Sequence, residues 1–206
     1  DVNGEYLGFD KKVHVAQGFT YRSDMSLWDT CRTTHPLYTL IAQDIQLDCL
    51  NSLVDMAEQG RGNLPRWPMG AGYSGSMFGD SANIVIAESY LKGIKDFDVE
   101  AAYKAMKYSS ENETDRSGRE NIDLYNEYGY VPNDAEGVRK SVACTLEYAW
   151  QDAATVTAST TTINVFGGTY TAGGHVFEFS QGTAALTMTM TMESFGKSRR
   201  VPRMPE

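Results

Sequence analysis

The chain has 206 residues, 27 acidic against 18 basic, and a net charge of −9. That length supports one domain with its own core. An acidic chain without a basic stripe argues against a nucleic-acid partner, and no stretch approaches the roughly 18 apolar residues of a membrane-spanning helix.

The sequence opens at Asp1 with no charged or apolar leader, so no targeting segment is visible. Cys31, Cys49 and Cys144 lack metal-ligand spacing and cannot all pair internally. All three fall in helix-period runs, where a cysteine behaves as a small buried apolar residue. The charge is uneven. Residues 155–206 are rich in threonine, hold no aspartate and are close to neutral, so a composition break lies near Ala154.

Residues 1–25 read as an irregular lead-in with strand character at Val13, Val15 and Phe19–Tyr21, and a turn at Gly8–Lys11. A first helix is expected over about 27–41, with Leu27, Cys31, Thr34, Tyr38 and Ile41 on one stripe. Pro36 lies inside it and is expected to kink or divide it. A second helix over about 44–59 has Asp44 as its N-cap and Gly60 at its end.

Residues 60–80 form a glycine-rich loop. Within it Gly70-Ala71-Gly72-Tyr73-Ser74-Gly75 fits G-x-G-x-x-G. Trp67-Pro68 stands where a nucleotide-binding fold needs a central strand, so the dinucleotide reading fails. Trp67 and Tyr73 favour a binding loop.

A third helix over about 81–92 is apolar nearly all round and is expected to be buried on most sides. Asp98 caps a fourth over about 98–109. Residues 110–120 read as a solvated loop, with the sequon Asn112-Glu113-Thr114. A short helix at Ile122–Tyr128 precedes a last one from about 138 to at least 152. Its inward stripe is expected at Val142, Thr145, Leu146, Ala149 and Ala153. The whole is a series of antiparallel helical hairpins without βαβ alternation, such as can close into a toroid of paired helices.

The chemistry points to carboxylates. Neither H-E-x-x-H nor G-x-S-x-G occurs. Asp29, Asp80, Glu88, Glu147 and Asp152 remain, and paired carboxylates are what glycoside hydrolysis needs. Each of them can equally serve as a cap or a solvated charge. At the first helix, Trp28, Asp29 and Arg32 stand close together. An indole covers sugar C–H groups while a carboxylate accepts from hydroxyls. The same three residues can also be a helix-entry pair beside a half-buried tryptophan.

Seven stretches follow one another in a characteristic order: Gly18–Tyr21, Ser26–Thr30, Leu64–Pro68, Ala87–Gly93, Phe97-Asp98, Gly129–Pro132 and Thr145–Ala149. That order resembles glycoside hydrolase family 92, the calcium-dependent exo-α-mannosidases, over about residues 1–154. The resemblance implies a mainly α fold, a partial (α/α)6 toroid. Residues 26–154 would be the first helices of the catalytic toroid, and residues 1–25 the linker from an N-terminal β-sandwich.

It also implies an inverting enzyme, of α-1,2-mannosidase type, that trims mannose-containing glycans of glycoproteins in the periplasm, at the cell surface or outside the cell. Trp28 and Asp29 match the family's Trp-Asp pair at the −1 sugar. Trp67 and the loop after it, with Tyr73, match a segment near the active-site mouth, and Arg32 is a candidate substrate clamp. Many members carry Gly-Asn-Glu-Thr in that loop, where this chain has Gly70–Gly75. The family's general acid, its base and most calcium ligands have no counterpart up to Asp152, so the segment alone is expected to be inactive. The alternatives are another toroidal glycosidase or a non-catalytic carbohydrate-binding module. The Thr-rich tail 155–206 departs from the family and reads as a frame-shifted or mis-joined segment, the alternative being a divergent but genuine C-terminal segment.

Overall fold

The computed structural model describes residues 3–114, 118–158, 168–172, 175–179 and 188–190. It divides into two compact units, residues 1–159 and 160–206. The first is helical after a short hairpin of β1 (Glu5–Leu7) and β2 (Val13–Val15), paired antiparallel with Tyr6 opposite His14. Lys11 takes a positive φ of 66° in the connecting turn, and the Gly8 N–H reaches the Lys12 carbonyl at 2.8 Å. Phe19–Tyr21, expected to be strand-like, lies outside any strand.

The expected first helix is two: α1 (Leu27–Thr30) and α2 (Thr34–Ile41). Proline divides it, but the break lies upstream of Pro36. Its ring would collide with the Arg32 carbonyl and offers that carbonyl no N–H, so the chain leaves the helix at residues 31–33. Pro36 then sits harmlessly in the first turn of α2, where N–H groups lack partners anyway.

α3 (Gln43–Gln59) follows after the single residue Ala42 and packs on α2. Ala42, not Asp44, holds the N-cap position, and Asp44 lies in the first turn, where a carboxylate suits the helix dipole. α4 (Ala82–Leu91) is buried along most of its length, as expected for a helix without a polar face. It packs on α2, α3, α5 (Val99–Glu111) and α7 (Ser141–Ala158). Asp98 caps α5 by accepting from the Ala101 N–H at 2.9 Å. The short α6 (Ile122–Tyr128) lies against α5.

Leu27, Leu50, Leu53, Met56, Leu64, Val85 and Met106 fill the centre of this unit. Each such side chain contributes roughly 1.5–3 kcal/mol over its exposed state.

α7 presents a different face inward from the one its aliphatic residues suggest. Val142 and Leu146 are 71% and 66% exposed, whereas Cys144, Tyr148 and Gln151 are buried. The inward face carries polar partners: Tyr148 Oη donates to the Glu120 carbonyl at 2.8 Å, and Gln151 accepts from the Asp80 N–H at 3.0 Å. The helix also runs past Ala154 to Ala158. Thr155 bonds back to the Gln151 carbonyl at 3.1 Å and accepts from Asn83 at 2.9 Å, which offsets the low helix propensity of the threonine run.

In the second unit β3 (Gly168–Ala172), β4 (His175–Phe179) and β5 (Met188–Met190) form an antiparallel sheet in that order. Most of the tail 155–206, and with it the expectation of a frame-shifted or mis-joined segment, lies outside the described residues.

Candidate functional site

Leu27 and Cys31, one turn apart, are buried and fix α1 against the core. That turns Asp29 and Arg32 outward, with Trp28 half-buried between. Arg32 lays its guanidinium over the Trp28 ring, 4.2 Å from the centroid, and 5.3 Å from that of Trp150. Its Nη2 donates to Glu147 Oε1 at 2.7 Å, and Trp28 Nε1 donates to the same oxygen at 3.1 Å. So Arg32 pairs with Glu147 on α7, not with Asp29 one turn away. Stacked and neutralised, it holds the indole more than it offers a free cation to substrate. Phe78 lies tilted against Trp28 at 6.0 Å.

The Asp29 carboxylate has no hydrogen bond or ion pair among the described residues, and it is exposed. A carboxylate free beside an aromatic ring can accept from sugar hydroxyls.

Trp67 and Tyr73 have other partners. Trp67 is half-buried, and its carbonyl accepts from Ser74 N and Oγ at 3.2 and 2.8 Å. With Met69 N bonded to the Gly72 carbonyl at 3.0 Å, residues 67–74 make a tight turn, not a phosphate-cradling loop. Tyr73 points inward, edge-on to Phe9 at 4.8 Å, and the Arg61 N–H donates to its hydroxyl at 3.2 Å. Burial raises its phenol above the ordinary value. A side chain on Gly60 would strike that hydroxyl, so glycine at the end of α3 admits Tyr73.

Besides Glu147, three more of the five candidate carboxylates are structural partners. Asp80 is fully buried and accepts from Arg119 Nε at 2.9 Å and from Asn83 at 2.8 Å. Burial pushes its carboxyl up, and the Arg119 charge pulls against that. Asp152 accepts from Arg119 Nη1 at 2.5 Å and from Tyr125 Oη at 3.1 Å. Burial works against the Arg119 charge, but the two carboxylates outweigh it and raise its affinity for the proton. Glu88 pairs with Lys92 one turn on, at 2.6 Å. Arg119 sits in a stretch that reads as solvated loop, and a lone arginine among charged residues gives no signal of burial. Burial also raises all three thiols, Cys49 to about 11, so none is a ready nucleophile.

Among the described residues no group of three or more His, Cys, Asp or Glu side chains converges as a metal cage.

Serial packed helices thus bring an indole, an exposed carboxylate and a clamped arginine to one helix entry. The model of the glycosyl hydrolase family 92 catalytic domain matches residues 1–164, past the composition break at Ala154. The chain belongs to glycosyl hydrolase family 92.

Among solved structures it is similar to the family GH92 alpha-mannosidase BT3965 of Bacteroides thetaiotaomicron, with a TM-score of 0.71 and 36% identity over 77% of this chain and 21% of that one. The same enzyme in complex with mannoimidazole gives the same TM-score and identity, over 77% of this chain and 20% of that one. The inverting mannosidase BT2199 of the same organism matches with a TM-score of 0.66 and 30% identity, over 74% of this chain and 20% of that one. The chain thus spans about a fifth of the length of these enzymes. No curated protein matches.

Proposed function

We propose that this chain is a segment of an exo-acting, inverting α-mannosidase, of α-1,2 type, that trims mannose-containing glycans of glycoproteins outside the cytoplasm. The observation that carries the reading is the 36% identity to an alpha-mannosidase over 77% of the chain. The site agrees with it: the Trp28 ring serves as a platform for sugar C–H groups and Asp29 as an acceptor for a hydroxyl.

Inversion needs a proton donor and a separate base about 6.5–9.5 Å apart, with room for water between them. Asp80, Glu88, Glu147 and Asp152 are each already engaged by a cation. We therefore propose that the segment alone binds without turning over. The acid, the base and the calcium ligands are assigned to later helices of the toroid.

The test is turnover of α-mannosides by the full-length gene product, with and without a calcium chelator. Turnover abolished by the chelator and restored by calcium is the expected result. Activity that survives complete calcium removal overturns the calcium-dependent mechanism. Mannose binding without turnover points to a carbohydrate-binding module, and turnover of glucosides alone to another toroidal glycosidase.

A further inference from the structure

Glu147 and Gln151 lie one turn apart on the inner face of α7. Glu147 Oε1 accepts from both Trp28 Nε1 and Arg32 Nη2, at 3.1 and 2.7 Å. Its Oε2 accepts from Gln151 Nε2 at 3.4 Å. Gln151 Oε1 in turn accepts from the Asp80 N–H at 3.0 Å. Gly79, just before it, has a φ of +80°, and a Cβ there would stand 2.3 Å from Gln151 Nε2. Two side chains of one helix thus join the indole at the helix entry to the exit of the glycine-rich loop.

We propose that Glu147 is a positioning residue for the Trp28 ring, with Gln151 as its brace. The proposal rests on the reading of Trp28 as a sugar platform. Its physical basis is the geometry of the two donors. An indole N–H fixed by a carboxylate loses rotation about its side-chain bonds, and the guanidinium bound to the same oxygen presses on one ring face. The ring is then held in one orientation, so ordering that would otherwise accompany sugar binding is already in place. A carboxylate suits this better than an amide, because its charge strengthens both bonds and its second oxygen still accepts from Gln151 Nε2.

The test uses the full-length enzyme that carries this segment, with mannoimidazole binding and the kcat and KM of an aryl α-mannoside as readouts. Glu147→Ala is expected to weaken mannoimidazole at least about tenfold, as loss of a charge-assisted hydrogen bond does. Glu147→Gln, which keeps an acceptor for Trp28 Nε1, is expected to recover part of the loss. In a Trp28→Phe background, Glu147→Ala is expected to add little, because the group it positions is gone. Equal effects of Glu147→Ala in both backgrounds overturn the proposal and assign Glu147 to stability alone. Full affinity in Glu147→Ala overturns it too. If Trp28→Phe by itself leaves binding intact, the Nε1–H bond is not what sets the ring and the positioning role falls; intact binding in Trp28→Ala overturns the sugar-platform reading itself. Should Glu147→Ala fail to fold, Glu147→Gln alone and combined with Trp28→Phe gives the same comparison.

Discussion

Arg119 and Asp80 form an ion pair sealed from water, with side chains 1% and 0% exposed and Nε 2.9 Å from Oδ1. Desolvating both ions is costly, so the pair itself adds little stability over an apolar equivalent, but breaking it leaves a charge stranded. Arg119→Met is therefore expected to cost about 3–5 kcal/mol in urea unfolding. Adding Asp80→Asn is expected to recover a large part. The sign with pH follows: without Arg119 the buried carboxyl rises further above its unfolded value, so the single variant gains stability as pH falls and Asp80 takes up a proton. A single variant as stable as the parent at neutral pH contradicts this.

His35 is buried, and its Nδ1 lies 2.9 Å from Gln46 Oε1, with Gln46 Nε2 donating to Ser89 Oγ at 2.9 Å. In that order the ring is neutral and donates from Nδ1. Burial holds it below its ordinary value of 6.5, although the Gln46 bond and the Glu88 charge pull the other way. The folded state keeps the ring neutral while the unfolded chain protonates it. Stability is then full above about pH 6.5 and falls as pH drops towards the folded value, by up to about 1.4 kcal/mol per unit. Melting temperatures from pH 7.5 to 5, compared with those of His35→Asn, check this; the variant is expected to show the shallower slope.

Asp29 has an exposed carboxylate and no side-chain role in capping α1, whose N-cap residue is Ser26. In the full-length enzyme Asp29→Asn is expected to lower kcat/KM by more than about tenfold while the melting temperature barely moves. Unchanged kinetics with a lower melting temperature would return Asp29 to a helix-entry role.

Gly79 combines a left-handed backbone with the Gln151 amide where a side chain would go. Gly79→Ala is expected to destabilise by at least about 1–2 kcal/mol from the backbone alone. Gln151→Ala opens the space, so Gly79→Ala is expected to cost less in that background, by thermal or urea unfolding.

How far the sequence discloses this arrangement depends on which residues do the packing. α4 is apolar all round, and its burial is legible from composition alone. Its neighbours α2, α3, α5 and α7 are already present within this segment, so it does not depend on later helices. α7 misleads because Val142 and Leu146 point outward, while a cysteine, a tyrosine and a glutamine join the expected Ala153 in the inner packing. Amphipathic counting favours Val142 and Leu146 for the wrong side. Trp28 and Asp29 are legible as neighbours in sequence. The Trp28–Glu147 bond joins residues far apart along the chain, and spacing carries no trace of it.

Among the described helices the most exposed aliphatic side chains are Leu40 and Ile41 of α2 and Val142 and Leu146 of α7. The segment expressed alone is expected to bind a hydrophobic dye and to turn over no α-mannoside. Replacing Leu40 and Ile41 by serine is expected to lower the dye signal without lowering the melting temperature. A sharp melt with no dye binding and measurable turnover contradicts both expectations.

The turn at residues 67–75 is gripped almost wholly by its main chain. Ser23 Oγ donates to the Gly70 carbonyl at 2.7 Å, Asp24 accepts from the Gly70 N–H at 3.1 Å, Lys11 Nζ reaches the Ala71 carbonyl, and Arg66 Nη2 binds the Gly75 carbonyl at 3.0 Å. Every residue type carries those carbonyls. The path of the turn is therefore uncoupled from the side chains at Ala71 and Gly72, whereas Gly70 and Gly75 take positive φ and the Tyr73 and Ser74 side chains are themselves anchored. Ala71 and Gly72 are interchangeable parts on a fixed mount, so other side chains fit there without rebuilding the frame.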